Sequence, residues 1–201
     1  MIKKLLITVL FITQFATASP LSDSALRMIK IGNEVGSPAV VKNGQDLLIK
    51  GMFELNDFDA AYEASKQTRS GNQIMGYPPQ VQIANKILSK LLNQGYEPAI
   101  YDSALYLLDG DSGFVKDALM ALNLLEKSTQ IYSNPQSAFV AAVIRNESLA
   151  PIIKDKQRID ELITFAILNN VKGAAEYQAQ YIDNKAQKLK VKNWRAWIDR
   201  Q

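Results

Sequence analysis

Two residue types are missing from this chain of 201 residues: it has no histidine and no cysteine. Without cysteine there is no disulfide and no thiol nucleophile, so a packed core must stabilise the fold alone. Without histidine there is no Ser–His or Cys–His catalytic pair, and a zinc site of the usual ligand types is excluded as well. Composition therefore rules out most classes of enzyme, and we expect neither catalytic activity nor a cofactor.

A strong excess of one charge is also lacking. The chain has 23 basic and 20 acidic residues and a net charge of +3, which becomes +1 when the leader with Lys3 and Lys4 is set aside. Nucleic-acid binding requires a basic surface that neutralises phosphates. We therefore expect no nucleic-acid partner.

Long apolar runs are absent except near the N-terminus. There, Lys3 and Lys4 precede an apolar run over residues 5–15, and the small residues Ala16 and Ala18 follow it as in a cleavage site. The run is about a dozen residues, shorter than the roughly 20 that span a bilayer. The sequence predicts a cleavable signal peptide over residues 1–18 and export to the periplasm. No cysteine follows the apolar run, so we expect no lipid anchor, and no membrane contact after cleavage.

Strand signals are nearly absent from the rest of the chain, whereas helical periodicity covers it. Glycine and proline punctuate the periodic segments, and several prolines stand at first-turn positions, which tolerate a missing N–H. The pattern predicts helices near residues 23–32, 44–55, 58–69, 79–93, 97–108, 118–131, 135–146, 158–169, 172–188 and 191–199. We expect the least regular loop at residues 70–79.

The helices repeat with a period. Two sets of apolar or small residues lie at the same offsets from Asp117 and from Asp155, which are 38 residues apart, and Asp57 begins a weaker copy. The first set is Ala121, Leu124, Leu125 and Ser128, and the second is Ile159, Leu162, Ile163 and Ala166. A pair of short helices cannot bury its apolar face alone, so such pairs must stack. The sequence predicts an all-α solenoid as one domain, residues 19–201.

Residues 95–128 resemble a Sel1-like repeat, a relative of the tetratricopeptide repeat. The positions that match the family's pattern are Ala99, Ala104, Gly110, Gly113, Lys116, Asp117, Ala121, Leu125, Glu126 and Lys127. The turn has one extra residue, and the next copy has lost its glycines. The resemblance implies a right-handed α-solenoid with its clearest repeats at 95–133 and 134–172 and C-terminal capping helices over 173–201.

The resemblance also implies a protein-binding scaffold without catalytic residues of its own. Several exported bacterial proteins of this family are similar to immunity proteins, which neutralise phospholipase toxins delivered between cells by type VI secretion. We therefore expect a periplasmic module for protein–protein interaction. The more specific expectation is an immunity protein that binds such a toxin. A general envelope adaptor is the alternative, and a carboxylate-based cell-wall hydrolase is a more distant one.

The loop DGDSG, which begins at Asp109, has the acid–glycine pattern of a calcium loop. A calcium-binding helix-loop-helix needs oxygen ligands at alternating positions of twelve and a bidentate acid at the last. Counted from Asp109, Asp111 fits, but the next ligand position holds Gly113 and the twelfth holds Met120. The ligand set fails, and we expect no metal site.

The same loop is better explained as a turn between two helices of a repeat. Gly110 and Gly113 are predicted to take a positive φ at the helix end and turn. Asp117 is predicted to cap the next helix by accepting a hydrogen bond from a free backbone N–H. Asp155 has the equivalent role in the following copy.

The C-terminal stretch KAQKLKVKNWRAWIDRQ is basic and places Trp194 and Trp197 on one helical face. Such a surface is typical of docking to an anionic membrane or an acidic partner. A capping helix whose tryptophans cover the last repeat is the simpler interpretation, and partner binding remains the alternative. Tyr101 and Tyr177 are further candidates for partner contact, because tyrosine offers contact area with a polar tip.

Overall fold

The computed structural model describes residues 19–182 and 195–199, so the predicted signal peptide and Trp194 lie outside the described residues. The helices are α1 (Pro20–Glu34), α2 (Pro38–Glu54), α3 (Phe58–Ser70), α4 (Val81–Asn93), α5 (Glu97–Asp109), α6 (Ala118–Tyr132), α7 (Pro135–Asn146), α8 (Lys156–Leu168), α9 (Ala174–Tyr177) and α10 (Arg195–Ile198). A π-helical turn, Gln178–Ile182, continues α9. None of these helices has the length and apolarity to cross a membrane.

The helices form consecutive pairs that stack as a solenoid. The first helices of the pairs, α1, α3, α5, α7 and α9, begin at residues 20, 58, 97, 135 and 174, so they recur every 38 or 39 residues. Each helix packs on its neighbours in the chain, and the tightest association is within the pairs. The predicted all-α solenoid is confirmed.

Two details of the predicted helices are wrong. Asp57 begins α3, which is the first helix of its pair, whereas the sequence pattern had aligned it with second helices. The alignment failed because an aspartate N-cap suits either helix of a pair. The second helix starts at Pro38 instead of residue 44. The helix predicted over residues 172–188 begins at Ala174 and continues as a π-helical turn to Ile182, and residues 183–188 lie outside the described residues. The loop at 70–79 holds an antiparallel bridge between Asn72 and Tyr77.

Gly44 lies inside α2 because α1 crosses it at very short range. A Cβ at this position would lie 2.6 Å from the Ala25 carbonyl oxygen and 2.7 Å from the Ile29 side chain. The first of these atoms belongs to the backbone, so it cannot turn away. The close approach of the two helices therefore depends on glycine.

Gly44→Ala should destabilise the chain by about 1–3 kcal/mol, since overpacking exceeds the gain of roughly 1 kcal/mol in helix propensity. The measurement is urea unfolding followed by circular dichroism. Asn43→Ala, at the exposed neighbouring position of α2, is the matched control and should change stability by no more than about 0.5 kcal/mol. A stabilised Gly44→Ala would contradict the close crossing.

The largest core cluster surrounds α7. Residues 138–144, seven successive positions, are all fully buried, so this helix is covered on every side. This stretch, AFVAAVI, contains three alanines among larger apolar residues, and the alanines let neighbouring helices approach closely. A second cluster lies between α1, α2 and α3, and a third between α3, α4 and α5.

Hydrogen bonds join the N-termini of successive first helices. The Ser19 hydroxyl donates to Asp57 Oδ2 at 2.5 Å, the Tyr96 hydroxyl donates to Asp59, and Asn134 Nδ2 donates to Glu97 Oε1 at 2.6 Å. Each of these bonds links residues 37 or 38 apart, the length of about one repeat. These hydrogen bonds thus fix the alignment of each first helix with the first helix of the next repeat.

Candidate functional site

The DGDSG loop packs onto the preceding repeat. Gly110 ends α5 in the left-handed conformation with φ of 71°, and its N–H donates to the Tyr106 carbonyl at 2.8 Å. Gly113 has a φ of 80°, and a Cβ there would lie 2.8 Å from Asn85 Nδ2. The Ser112 carbonyl accepts from Arg69 Nη1 at 3.1 Å and from Asn85 Nδ2 at 2.9 Å. Both glycines therefore stand where backbone conformation or space requires them.

The carboxylates in and after this loop do not converge on one point. Asp109 pairs with Arg195, Asp111 is exposed, and Asp117 Oδ1 accepts from the Met120 N–H at 2.8 Å. Asp155 Oδ1 accepts from the Arg158 N–H at 3.1 Å in the same way. Within residues 19–182 and 195–199, no three acidic side chains lie together as a metal-ligand group.

Asp117→Ala should lower the free energy of unfolding by about 1 kcal/mol through loss of the cap of α6. Asp117→Asn is the matched control, because its amide oxygen can accept the same hydrogen bond and asparagine is as good an N-cap residue. Thermal melts of the three proteins measure the effect. Equal melting temperatures for all three would contradict the capping role.

A group of polar and aromatic side chains links α3 to α5, one repeat apart. This α3–α5 cluster consists of Tyr62, Lys66, Arg69, Tyr101, Asp102 and Tyr106. The Tyr62 hydroxyl donates to Asp102 Oδ2 at 2.8 Å. Among the described residues, no other hydrogen bond reaches that carboxylate. Asp102 thus has a neutral hydrogen-bond donor, and its carboxylate can accept further hydrogen bonds.

The cluster's cations lie against its aromatic rings. Lys66 Nζ is 5.1 Å from the centre of the Tyr62 ring, and the Arg69 guanidinium carbon is 4.4 Å from the centre of the Tyr106 ring. Tyr106 stacks in turn on Phe114, with ring centres 5.5 Å apart. Cation–π contacts of this kind hold the rings in place at modest energetic gain.

Burial raises the pKa values of the aspartate and the tyrosines in the α3–α5 cluster. Desolvation raises the pKa of Asp102, although the Tyr62 hydrogen bond and the charges of Lys66 and Arg69 oppose the shift. Desolvation, assisted by the Asp102 charge, raises the pKa of Tyr101 to about 12. The pKa values of Tyr62 and Tyr106 are raised for the same first cause. The tyrosines therefore stay neutral hydrogen-bonding groups near neutral pH, and an ionised Asp102 is poorly solvated.

Asp102 should make stability depend on pH. Above the ordinary aspartate pKa of 3.8 and below the raised folded value, the native state holds a proton that the unfolded chain has lost. The free energy of unfolding therefore falls as pH rises through this window. Asp102→Asn should reduce that fall, so the variant gains stability relative to the wild type as the pH rises above the ordinary aspartate pKa of 3.8.

Urea unfolding at several pH values measures this difference. Asp23→Asn, at an exposed position of α1, is the control and should follow the wild-type curve. If the Asp102→Asn and wild-type curves run parallel as the pH rises above the ordinary aspartate pKa of 3.8, the carboxylate is not desolvated as described.

Of the four predicted partner-binding residues, two are core residues. Tyr177 is fully buried and Trp197 is 5% exposed, and their rings make an edge contact with centres 5.6 Å apart. As placed, neither offers a surface to a partner, because each fills space in the largest core cluster. Tyr101 is half-buried at the edge of the α3–α5 cluster. Trp194 lies outside the described residues.

Sequence reasoning missed Asp102, Lys66 and Arg69 as site residues. One signal was present: Tyr62 and Asp102 are 40 residues apart, close to the repeat period, so adjacent first helices bring them together. The sequence alone could not show that Asp102 is desolvated. That property depends on the side chains that surround it.

Comparison with known proteins supports the fold. No protein-family model matches the sequence, and no curated protein matches it. The structure is similar to the crystal structure of a Sel1 repeat protein from Oxalobacter formigenes, with a TM-score of 0.62 and 15% sequence identity. The similarity covers 89% of this chain and 73% of that one. The predicted Sel1-like solenoid is therefore confirmed at the level of the fold, an architecture whose repeats build extended binding surfaces.

Proposed function

We propose that this solenoid, which has the fold of a Sel1 repeat protein, is a non-catalytic protein-binding module whose partner docks on the α3–α5 cluster. The observation that carries the proposal is the state of Asp102. Its carboxylate is desolvated, its pKa is raised, and its hydrogen-bond donor among the described residues is a neutral phenol. A cationic side chain of a partner would form a direct ion pair with this carboxylate, on which Lys66 and Arg69 act only through their charges.

The surroundings of Asp102 suit a protein ligand. Tyr62, Tyr101 and Tyr106 frame the carboxylate with flat, amphipathic surfaces that lose little entropy on binding. Lys66 and Arg69 add cations on the α3 side, so the cluster carries both charges. The partner surface that complements it has a lysine or arginine opposite Asp102, since Lys66 is already paired with Glu63 at 3.1 Å.

The compartment and the partner are the finer parts of the proposal. The signal-peptide pattern of residues 1–18 supports export to the periplasm. The resemblance of residues 95–128 to exported Sel1-like proteins supports an immunity protein that holds a toxin of the type VI secretion pathway inactive by direct binding. Occlusion needs no cofactor and no catalytic residue of this chain.

The binding test uses the exported chain, residues 19–201, and its partner taken from envelope extracts or from the products of neighbouring genes. Asp102→Asn should weaken the measured affinity at least tenfold, because the countercharge pair is lost. Lys156→Ala, which breaks an exposed pair with Asp160 on α8, is the control and should bind like the wild type. Equal affinity of wild type and Asp102→Asn would refute docking at this cluster.

Two further results decide the finer parts. N-terminal sequencing of the protein from the cell envelope should begin at Ser19, and an intact Met1 in the cytoplasm would refute export. One tight, stoichiometric toxin partner supports immunity. Several envelope proteins with moderate affinity would instead identify an adaptor.

A further inference from the structure

Two aspartates at the start of α3 accept hydrogen bonds from neutral groups in the described part of the chain. Asp57 is the N-cap of α3, and its Oδ1 accepts from the Ala60 N–H at 3.1 Å. Asp59 lies in the first turn, and its Oδ1 accepts from the Tyr96 hydroxyl. Within residues 19–182 and 195–199, neither carboxylate takes part in an ion pair. We call these two carboxylates the acidic corner.

Ser19 contacts both carboxylates of the acidic corner. Its backbone N–H donates to Asp59 Oδ2 at 2.9 Å, and its hydroxyl donates to Asp57 Oδ2 at 2.5 Å. The hydroxyl oxygen also caps α1, since it accepts from the Ser22 N–H at 3.2 Å. The two bonds to the acidic corner link positions that are 40 and 38 residues apart. The packing of α1 on α3 therefore directs the Ser19 nitrogen to Asp59.

The charge of the Ser19 nitrogen depends on whether the chain has been processed. In the unprocessed chain this nitrogen belongs to the neutral amide that follows Ala18, and the signal-peptide pattern indicates cleavage at that bond. Hydrolysis adds one water across the bond, so that Ala18 keeps a carboxylate and the Ser19 nitrogen becomes an ammonium, the form that prevails at neutral pH. The sequence and the fold thus lead to the same atom. The first makes it a cation, and the second places it beside a carboxylate.

The surroundings of the acidic corner favour an ion pair. Ser19, Asp57 and Asp59 are all half-buried, and partly buried charges are screened by salt less than exposed ones. Desolvation raises the pKa of Tyr96, and the nearby Asp59 and Glu63 carboxylates raise it further. A cation at Ser19 therefore enters a region of negative potential that is partly shielded from water.

We propose that cleavage after Ala18 makes the Ser19 ammonium the resident cation of the acidic corner, and so completes an ion pair with Asp59 that the unprocessed chain lacks. The proposal rests on the export stated in the proposed function. It adds a role for the new terminus, because the ion pair joins α1 to α3, and the bond from Tyr96, the residue before α5, extends the link to the next repeat. Processing thereby stabilises the N-terminal part of the solenoid.

Thermal melts of two forms of the exported chain, residues 19–201, isolate the effect of the charge. One form has a free α-amino group at Ser19. The other is acetylated at that nitrogen, which retains an N–H for Asp59, as the unprocessed amide does, but carries no charge. The free form should melt about 2–4 °C higher, because a charge-assisted hydrogen bond is stronger than the neutral bond that it replaces. Equal melting temperatures would overturn the proposal.

An Asp59→Asn variant tests whether Asp59 is the partner of the ammonium. Its free and acetylated forms should melt less than half as far apart as those of the wild type, because the carboxylate opposite the ammonium is gone. Asp160→Asn on α8, two repeats further along the chain, is the matched control and should retain the full difference. A full difference in Asp59→Asn would refute the pairing with Asp59. If that variant does not fold, the comparison of the two wild-type forms still decides the proposal.

N-terminal sequencing of the protein from the cell envelope separates this proposal from the proposed function. A processed chain that begins at any residue other than Ser19 overturns the proposal and leaves export intact. A chain that begins at Ser19 but melts equally in both forms overturns the ion pair alone. An intact Met1 in the cytoplasm refutes export and with it the coupling to processing. None of these results depends on the α3–α5 cluster, so a failure of docking there leaves the ion pair standing.

Discussion

Tyr177→Ala is expected to cost about 3–5 kcal/mol of the free energy of unfolding, the range for removing a large aromatic side chain from a core. Tyr177 is fully buried and makes edge contacts with Phe139, at 5.8 Å between ring centres, and with Trp197. Its hydroxyl donates to Glu147 Oε1 at 2.6 Å and accepts from Asn146 Nδ2 at 3.0 Å. The substitution therefore removes packing and the two hydrogen bonds of the hydroxyl, and among the described residues it leaves Asn146 Nδ2 and Glu147 Oε1 only their bond to each other, at 3.1 Å.

One further variant isolates the contribution of the hydroxyl, and another serves as a control at a more exposed position. Tyr177→Phe keeps the ring and loses the hydroxyl, and should cost about 1–3 kcal/mol. Tyr77→Ala removes a half-exposed ring in the turn after α3 and should stay within about 0.5 kcal/mol. Urea unfolding measures all three. A loss below about 1 kcal/mol for Tyr177→Ala would contradict the position of this residue in the core.

Glu126→Ala should destabilise the chain by about 2–3 kcal/mol, because it leaves two partly buried arginines without their shared carboxylate. Glu126 of α6 accepts from Arg145 Nε at 2.7 Å and Nη2 at 3.0 Å, and from Arg158 Nε at 3.3 Å. These bonds join α6 to α7 and α8. The hydrogen bond to Glu126 also raises the pKa of Arg145.

The control for this network is an exposed ion pair on α8. Asp160→Ala breaks the pair with Lys156, whose side chain is 70% exposed, and should cost less than about 0.5 kcal/mol. The comparison is made by urea unfolding at low and at high salt. The Glu126 effect should persist at high salt, because partly buried pairs are weakly screened. Equal costs for the two variants would mean that Glu126 adds nothing beyond a surface pair.

The local features of the fold were predictable from the sequence. Asp57, Asp117 and Asp155 each precede a helix and cap it, because capping needs only residues within three positions of each other. Gly110 ends α5 for an equally local reason. The apolar periodicity indicated which face of each helix is buried, and the spacing of about 38 residues indicated that pairs stack.

The candidate site was not predictable in the same way. Asp102 reads as an ordinary helix aspartate, and its desolvation follows from Tyr62 on α3 and the rings beside it. From the sequence, Trp197 was a candidate for the surface, and its burial follows from packing against Tyr177 of α9 within the largest core cluster. Both facts depend on residues that lie 40 and 20 positions away in the chain.

What the sequence by itself determined is the class of the molecule: a helical solenoid, without the histidine and cysteine chemistry of most enzymes, whose helices begin at capping residues. Propensity, capping and periodicity act over a few residues, so they can be read along the chain. Only the tertiary structure decided that Asp102 is a poorly solvated carboxylate and that residues 195–199 return to α5. The desolvation of Asp102 and the position of residues 195–199 depend on all the side chains that folding brings near them. Those side chains come from different repeats.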